Sequence, residues 1–548
     1  MPALRLTNTL TRRVETVEPV AHTDDGRPLL RFYSCGPTVY SYAHIGNFRT
    51  FLTADLVVRT AAALGWAVRY VSNVTDVGHL TEDDVADGGG EDKMSRALAS
   101  KEGKQFETVW DLARHYTAAL VEDWQALGLR EPDVRPRATE HVREQIQAAQ
   151  ALVAAGHAYE TADGVYFHVP SFPDYGMLSG NTDAETLAEA ARDVVRDEGK
   201  RDPRDFALWK KDPGHLMQWH SPFSEGPAEG WGFPGWHLEC SVMAQKYLGE
   251  TIDLHGGGED LRFPHHECEI AQAEALTGQP FSRYWMHTRF LQVEGEKMSK
   301  STGNFLTVRD LTAAPEDGGR DDWGAPVDPL ALRLALLKGH YAKPLDFTKR
   351  ALRDAEKNRQ RYADADDAVH EALEADRPGD DALADALDAA WTEALAAMAD
   401  DLNTPLALAA AYRGAGAVLA EHRERPLSAA SAQSAARFLD RINGLLGVVR
   451  SEYDEVSTGA DEVPVGEILE ERLAAAQAGD RLRLKQLAAQ LEGRVAFAPD
   501  EALLLAEERR RARASKEWDR ADRLRDEIRA LGWQVNDTPS GPSWQPLS

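Results

Sequence analysis

The chain has 548 residues, 43% of them hydrophobic and 13 of them tryptophan, which argues for several folded domains and against a disordered chain. Its formal net charge of −28 argues against a general nucleic-acid coat, since phosphate binding rests on Lys and Arg, but leaves room for a selective partner met by a local basic stripe. No run of about 18 apolar residues exists, "MPALRLTNTLTRR" lacks a secretory apolar stretch, and three scattered cysteines make no disulfide framework, so a soluble cytoplasmic protein with no membrane partner is expected.

In chain order, "LLRFYSC" (29–35) and "WAVRYVSNVT" (66–75) predict buried strands. Between them the apolar spacing of "NFRTFLTADLVVRTAAALG" predicts a helix that stops at Gly65. Strand, helix, strand is a βαβ unit, the seed of a parallel nucleotide-binding sheet. Residues 120–230 are richer in loops and read as an insertion. A second set follows: "TIDLHGGG" (251–258), a helix opened by Pro264 and closed near Gly278, then "RYWMHTRFLQV" (283–293). Beyond about 350 the sequence is mostly helical, with Ala/Leu/Asp-rich segments at 381–422 and 429–448. An acidic linker, "SEYDEVSTGADEVP" (451–464), precedes a last module that carries the basic stripe at 507–529.

The expected architecture is an α/β Rossmann-type domain with a parallel sheet, split by an insertion and followed by α-helical domains and a small C-terminal module. Its predicted parts are 1–119 and 231–310 for the two halves of the sheet domain, 120–230 for the insertion, 311–350 for a connecting region, 351–455 for a helical bundle and 465–548 for the last module.

"FPHHECE" (263–269) gathers potential metal ligands without a CxxC or HExxH signature. If a helix starts at Pro264, His265 and Glu269 share one face at i,i+4; Cys268 flanks that face and His266 points elsewhere. One helix then offers two ligands, or three, and the remainder must come from other segments. Cys35 ends the first strand and Cys240 lies close to the second set, so both fall near the carboxyl edge of the sheet, where ligands bind. Singly, each cysteine reads as a buried apolar group; with His265 and Glu269, the set reads equally as a zinc site.

Two further stretches suit phosphate. In "CGPTVYSYAHIGNFRT" (35–50), His44 and Asn47 enter a helix whose N-terminus favours anions. In "GEKMSKSTGN" (295–304), Lys297 and Lys300 stand three apart in a Gly- and Ser-rich loop, able to clamp nucleotide phosphates. Alone, "KMSKS" reads as a solvated basic loop and "HGGGED" as a tight turn. The pairing of an HIG-type element early and KMSKS late is far more specific.

With these residues in view, the sequence closely resembles the cysteinyl branch of the class I aminoacyl-tRNA synthetases. "HIGN" (44–47) and "KMSKS" (297–301) resemble the two class signatures. The branch is carried by "NTLTRR", "CGPTVY", "NVTDVGHL", "PGWHLECS", "HGGGEDLRFPHHECEIAQ" and "ASKEWDRADRLRDEI". The resemblance runs from about residue 5 to the end and implies one zinc per chain, held by Cys35, Cys240, His265 and Glu269. Cys268 departs from the family's usual asparagine; it either competes with Glu269 or stays inert. The resemblance also implies catalytic roles for His44, Asn47, Lys297 and Lys300. It places Gly36, Thr38, Asp260 and Lys300 at ATP, taken as substrate with Mg2+, and Thr75 and Trp236 in the amino-acid pocket. A C-terminal anticodon-binding module would use Arg513, Trp518, Asp522 and Asp537. The segment "EDGGRDDWGAP" (316–326) looks like an inserted surface loop.

The implied enzyme is a cysteine–tRNA ligase, expected to act as a monomer on cysteine, ATP and cysteine tRNA. The cysteine carboxylate attacks the ATP α-phosphate, and a ribose hydroxyl at the tRNA 3′ end then takes the aminoacyl group. Zinc would read the sulfur, since size alone separates cysteine from serine by only about 10²-fold and soft thiolate binds zinc strongly. Two rivals remain: a ligase joining activated cysteine to an amino-sugar, and an inactive tRNA-binding paralogue.

Overall fold

The computed structural model describes residues 2–80, 91–181, 199–226, 228–299 and 302–450, and beyond them 505, 509, 512, 515, 517–530, 533–538 and 541–546. The acidic linker at 451–464, Lys300 and Arg513 lie outside the described residues. Two compact units divide the chain, Met1–Glu452 and Tyr453–Ser548.

The first unit opens with a hairpin, β1 (Arg5–Asn8) and β2 (Arg13–Thr16), followed by β3 (Ala21–His22) and β4 (Pro28–Ser34). Helix α1 (Ile45–Ala63) crosses over to β5 (Ala67–Ser72), which pairs in parallel with β4. Gly65, at φ +83, takes the left-handed conformation that ends the helix and that only glycine adopts without strain. Helices α2 (Lys93–Ala99) and α3 (Val109–Ala126) then lead to the insertion.

The insertion holds α4 (Val142–Ala154) and strands β6 (Ala158–Glu160), β7 (Gly164–Phe167), β8 (Phe206–Lys210), β9 (Trp219–His220) and β10 (Trp231–Pro234). Its strands form one antiparallel sheet in the order β6-β7-β8-β10-β9. The loop-rich composition hid this sheet because its strands are short. Its last strand, 231–234, falls past the expected limit at 230.

Helix α5 (Trp236–Leu248), β11 (Ile252–Gly258), α6 (His265–Thr277) and β12 (Ser282–Thr288) complete the sheet domain. The strand order is β12-β11-β4-β5, all parallel, with short β3 antiparallel beside the start of β4. The sheet is therefore mixed at the start of its inner strand β4 rather than purely parallel. Every residue of β11 is buried, as expected for a parallel strand covered on both faces. Helix α1 is buried nearly all round, and each of its fully buried Phe or Leu side chains contributes roughly 1.5–3 kcal/mol.

The predicted strand 283–293 is two strands. After β12 the backbone breaks at Arg289, whose N–H donates to Tyr341 O, and β13 (Leu291–Val293) joins a separate sheet with β14 (Glu296–Lys297). Helices α7 (Val308–Thr312) and α8 (Pro329–Leu337) precede β15 (Leu345–Phe347), which pairs in parallel with β13. The bundle follows: α9 (Lys349–Ala375), α10 (Ala384–Ala399), α11 (Thr404–Glu424) and α12 (Ala429–Leu446).

One buried ionic cluster joins sheet domain and bundle. Asp55 on α1 accepts from Arg59 Nε at 2.7 Å, from Arg333 Nη2 and from the Arg130 N–H at 2.9 Å. The guanidinium groups also donate to Leu127, Gly128, Asn443 and Leu446 carbonyls, which end α3 and α12. Helix-terminal carbonyls lack intrahelical donors and carry partial negative charge, so two arginines suit them.

In the second unit the described residues include α13 (Trp518–Ala530) and a hairpin of β16 (Trp533–Thr538) and β17 (Gly541–Pro546). Ala521 and Leu524 pack with Ala512 under α13.

Candidate active site and metal centre

Strands β4 and β11 are in register with Ser34 opposite Gly256, so their carboxyl ends coincide. Cys35 follows at once, its N–H donating to Gly256 O at 3.1 Å. Cys240 lies on α5, and His265 and Glu269 lie on α6. The Cys35 and Cys240 sulfurs are 3.7 Å apart, Cys35 Sγ is 3.5 Å from Glu269 Oε1, and His265 Nε2 is 3.0 Å from the same oxygen. All four donor atoms lie within 4.8 Å of one another, and all four residues are buried.

His266 belongs to this neighbourhood, contrary to the helical-wheel expectation. Its Nε2 is 3.4 Å from Cys35 Sγ, and Cys35, His255, His266 and Glu269 form a second convergent set. Cys268 instead packs in a separate core with Leu238, Ala271 and Phe206, its sulfur 3.5 Å from the Tyr175 hydroxyl. At about 100° per residue, positions 266 and 268 flank the 265/269 face equally on either side. Tertiary packing alone decides which of the two meets Cys35. Glu267 points away as well, accepting N–H bonds from Gly176 and Ser179 at 2.8 Å and so anchoring the insertion to α6.

The electrostatics suit a cation. Burial pushes the Glu269 carboxyl up, but His255 and His265 beside it hold it well below the usual range. Burial would raise Cys240 too, yet the hydrogen bond from Cys35 and the adjacent His265 bring it down to about 6. Burial, Cys240 and Glu269 push Cys35 up, so the proton shared by the two sulfurs rests there. Against the effect of burial, Glu269 and Cys240 raise His265 to about 10. His255 Nε2 stands 2.7 Å from Glu269 Oε2, fixing the carboxylate while Oε1 faces the sulfurs. Once the thiol and imidazolium protons are displaced, two sulfurs, a carboxylate and an imidazole converge in a buried space where each is a metal ligand.

The glycines of "HGGG" are strand, not turn. A Cβ on Gly257 would come within 2.7 Å of the His266 ring, and one on Gly258 within 2.3 Å of Asp260 Oδ1. They let α6 and the 3₁₀ turn Glu259–Arg262 close onto the strand end. Gly36 is tighter still: its Cβ would stand 1.7 Å from Asn73 O, while its N–H donates to Asn73 Oδ1 at 2.8 Å.

Across the strand ends, Thr38 bridges Thr75, the Val39 N–H donating to Thr75 O at 3.0 Å. Thr75 is buried, and its hydroxyl donates to Glu239 Oε1 at 2.6 Å. Trp236 opens α5 with its ring centroid 4.3 Å from that of His265. His79 stacks on Trp236 as well, 3.8 Å away at 10°. Sequence reasoning missed His79, Lys93, Glu239 and His255. The one signal was for His79, which follows the predicted strand in "NVTDVGHL" where the reading stopped; Glu239 and His255 lie within α5 and β11.

His44 is the N-cap of α1. Its Nδ1 accepts from the Asn47 N–H at 3.0 Å and its own N–H donates to Asn47 Oδ1 at 3.1 Å, a capping box that leaves the Asn47 amide NH2 as the donor end. A Cβ on Gly46 would stand 3.1 Å from Met298 Cε, so the KMSKS segment packs directly over HIGN. Lys297 ends β14, exposed, and its carbonyl accepts from Asn304 Nδ2 at 3.2 Å; Asn304 Oδ1 accepts from the Ser299 N–H at 2.8 Å. The 316–326 segment lies at the surface, where Arg320 Nη1 donates to Gly303 O at 2.9 Å.

In the second unit, Trp518 opens α13 with 57% of its surface exposed, rather than packed beneath the helix. Asp522 is exposed and pairs with Arg525 at 3.0 Å. Asp537 lies on β16, opposite Pro542.

The paired signature segments on a parallel sheet define a class I aminoacyl-tRNA synthetase fold. Solved structures share it: Mycobacterium tuberculosis methionyl-tRNA synthetase in complex with methionyl-adenylate matches with TM-score 0.52 at 15% identity, over 76% of this chain and 92% of that one. An Agrobacterium radiobacter LeuRS–tRNA–LeuAMS ternary complex matches with TM-score 0.54 at 11% identity, over 81% and 86%. The family model for the class I (C) catalytic domain of tRNA synthetases matches residues 23–357, the DALR domain matches 395–450, and the cysteinyl-tRNA ligase anticodon binding domain matches 497–544. The cysteine–tRNA ligase of Salinibacter ruber is 54% identical over 99% of this chain and 98% of its own length. That of Thermus thermophilus is 41% identical, with 98% of both covered. The chain belongs to the cysteine–tRNA ligase family.

Proposed function

We infer that the chain joins cysteine to the 3′ end of cysteine tRNA at the expense of ATP, as a monomeric cytoplasmic enzyme. The observation that carries this reading is the convergence of Cys35, Cys240, His265 and Glu269 beside Thr38, Thr75 and HIGN at one sheet edge. Among the described residues no helix is long and apolar enough to cross a membrane.

The four donors fit zinc. With Zn–S near 2.3 Å and Zn–N or Zn–O near 2.0–2.2 Å, tetrahedral ligand atoms stand about 3.3–3.8 Å apart, against 3.7, 3.5 and 3.0 Å for three of the pairs here. Bound there, zinc supplies a soft Lewis-acid position that favours a thiolate over an alcohol. His255 orients Glu269, and Trp236 packs against His265, closing the pocket wall. Thr75 and Trp236 line the amino-acid side, and Gly36 and Thr38 the nucleotide side, with Asp260 at the ribose. His44, the Asn47 amide, Lys297 and Lys300 stabilise charge on the phosphates of Mg–ATP as the cysteine carboxylate attacks, so the step needs alignment and no protein nucleophile. Arg513, Trp518, Asp522 and Asp537 then read the anticodon; the exposed Trp518 ring suits stacking on an unpaired base.

Cysteine-dependent ATP–pyrophosphate exchange, run beside tRNA charging, tests the reading. Lys300→Ala is expected to slow exchange by about 10²-fold. A chain cut near residue 460 is expected to keep exchange and lose charging. Exchange without tRNA charging by the full chain, with consumption of an amino-sugar acceptor, would give the activity to the alternative ligase; no exchange at all would make the chain an inactive paralogue.

A further inference from the structure

His79 is held from three sides. Gly78, at φ +81, presses against the start of α5, where a Cβ would stand 2.4 Å from Pro234 O. That contact lays the His79 ring on Trp236 at 3.8 Å and 10°. On its edges, Nδ1 is 2.6 Å from Thr38 Oγ and Nε2 is 2.6 Å from Lys93 Nζ. Lys93 itself starts α2, its N–H donating to His79 O at 3.0 Å.

The chemistry of these partners fixes the ring. An ammonium group has donors and no acceptor, so His79 Nε2 accepts from Lys93 and the ring proton sits on Nδ1. Nδ1–H therefore donates to Thr38 Oγ, and the Thr38 hydroxyl hydrogen is turned outward as a donor. An outward donor is what an anionic nucleotide needs. A face of the same ring lies on Trp236, whose indole reaches His265 of the candidate metal centre.

We propose that His79, oriented by Lys93, is a positioning residue that couples the nucleotide seat at Thr38 to the amino-acid pocket at Trp236. One rigid ring sets a hydroxyl at its edge and an indole on its face, so order gained by one substrate favours the second. The inference rests on the assignments of Thr38 to ATP and Trp236 to cysteine made above.

The test is cysteine-dependent ATP–pyrophosphate exchange on the metal-loaded full chain, with both substrates varied, for Thr38→Val, His79→Ala, the double variant and His79→Asn. His79→Ala and Thr38→Val are each expected to lower kcat/KM for ATP about tenfold, the loss of one hydrogen bond to a charged ligand. The double variant is expected to fall no further than the worse single one, because both remove the same donor. His79→Asn, whose amide stands near the Nδ1 position, is expected to restore the ATP effect and leave a raised KM for cysteine, since the stack on Trp236 is lost. A purely structural role would give neither the non-additivity nor this split. Lys93→Met provides a second route should His79→Ala misfold; it is expected to match the ATP loss at unchanged metal content. Multiplicative losses in the double variant, or an unchanged ATP response in Lys93→Met, would overturn the proposal. Absence of exchange in the unmodified chain would instead remove the functional reading beneath it.

Discussion

Two clusters of buried charge in the first unit have opposite composition. At Asp55, one carboxylate meets two guanidinium groups, and the surplus N–H donors find helix-terminal carbonyls at Leu127, Asn443 and Leu446. At Cys35, two sulfurs, a carboxylate and an imidazole aim lone pairs at one small space. The first is saturated by groups with no alternative partner, whereas each of the four groups in the second can give up its contact with a neighbour and bind a metal. Matched buried charge holds a fold together, whereas converging thiol, imidazole and carboxylate groups can exchange their protons for a metal ion.

The largest difference between the clusters is expected on removing one metal donor. Cys240→Ser should lower metal affinity by on the order of 10³-fold or more, beyond the 10–100-fold that outer contacts command, and should raise the KM for cysteine. Metal analysis showing full occupancy would break the contrast. Asp55→Ala should act on stability instead, by about 3–5 kcal/mol, because it strands two buried guanidinium groups. Urea unfolding of the metal-loaded protein measures this; a loss under about 1 kcal/mol would mean that the arginines find other partners.

His255→Ala sharpens the boundary between contact and support. It frees Glu269 Oε2 without touching the donors facing the sulfurs, so metal affinity should fall about 10–100-fold while the metal still binds at high concentration. The pH dependence separates the clusters again. Burial pushes Asp55 up, but Arg59 and Arg333 hold it below its ordinary 3.8. A depressed carboxyl contributes stability above the usual carboxyl range that is lost as pH falls through its lowered value. Asp55→Asn should therefore flatten the acid side of the stability profile below about pH 4, and an unchanged slope would count against the pairing. The smallest effect is expected for Cys268→Ser: about 1 kcal/mol of stability from a buried polar replacement and no change in metal content. Loss of metal there would place Cys268 among the ligands after all.

Much of the candidate metal centre was legible because it follows helical geometry. His265 and Glu269 share a face at i,i+4, and strand ends carry Cys35 to the same edge. The choice between His266 and Cys268 was not legible, since both flank that face equally and only packing against the insertion decides. The Asp55 cluster was half legible: Asp55 and Arg59 are an i,i+4 pair, but Arg333 arrives from 278 residues away. His79 was hidden for the same reason, as its partners come from three separate segments. The insertion's sheet escaped notice because strands of two to five residues leave too short an alternation to detect.

The metal donors also bear on how this chain tolerates change in length. Cys35 and Cys240 are separated by 205 residues, and the insertion lies wholly between them. A metal held by both would act as a removable cross-link across a very long polymer loop. The entropy of closing such a loop grows only as the logarithm of its length, about 0.6 kcal/mol for each doubling. Adding or trimming tens of residues within 158–234 would thus alter the closure term by a small fraction of a kcal/mol. Such a tie at its root would hold the candidate site in one shape while the insertion varied in size.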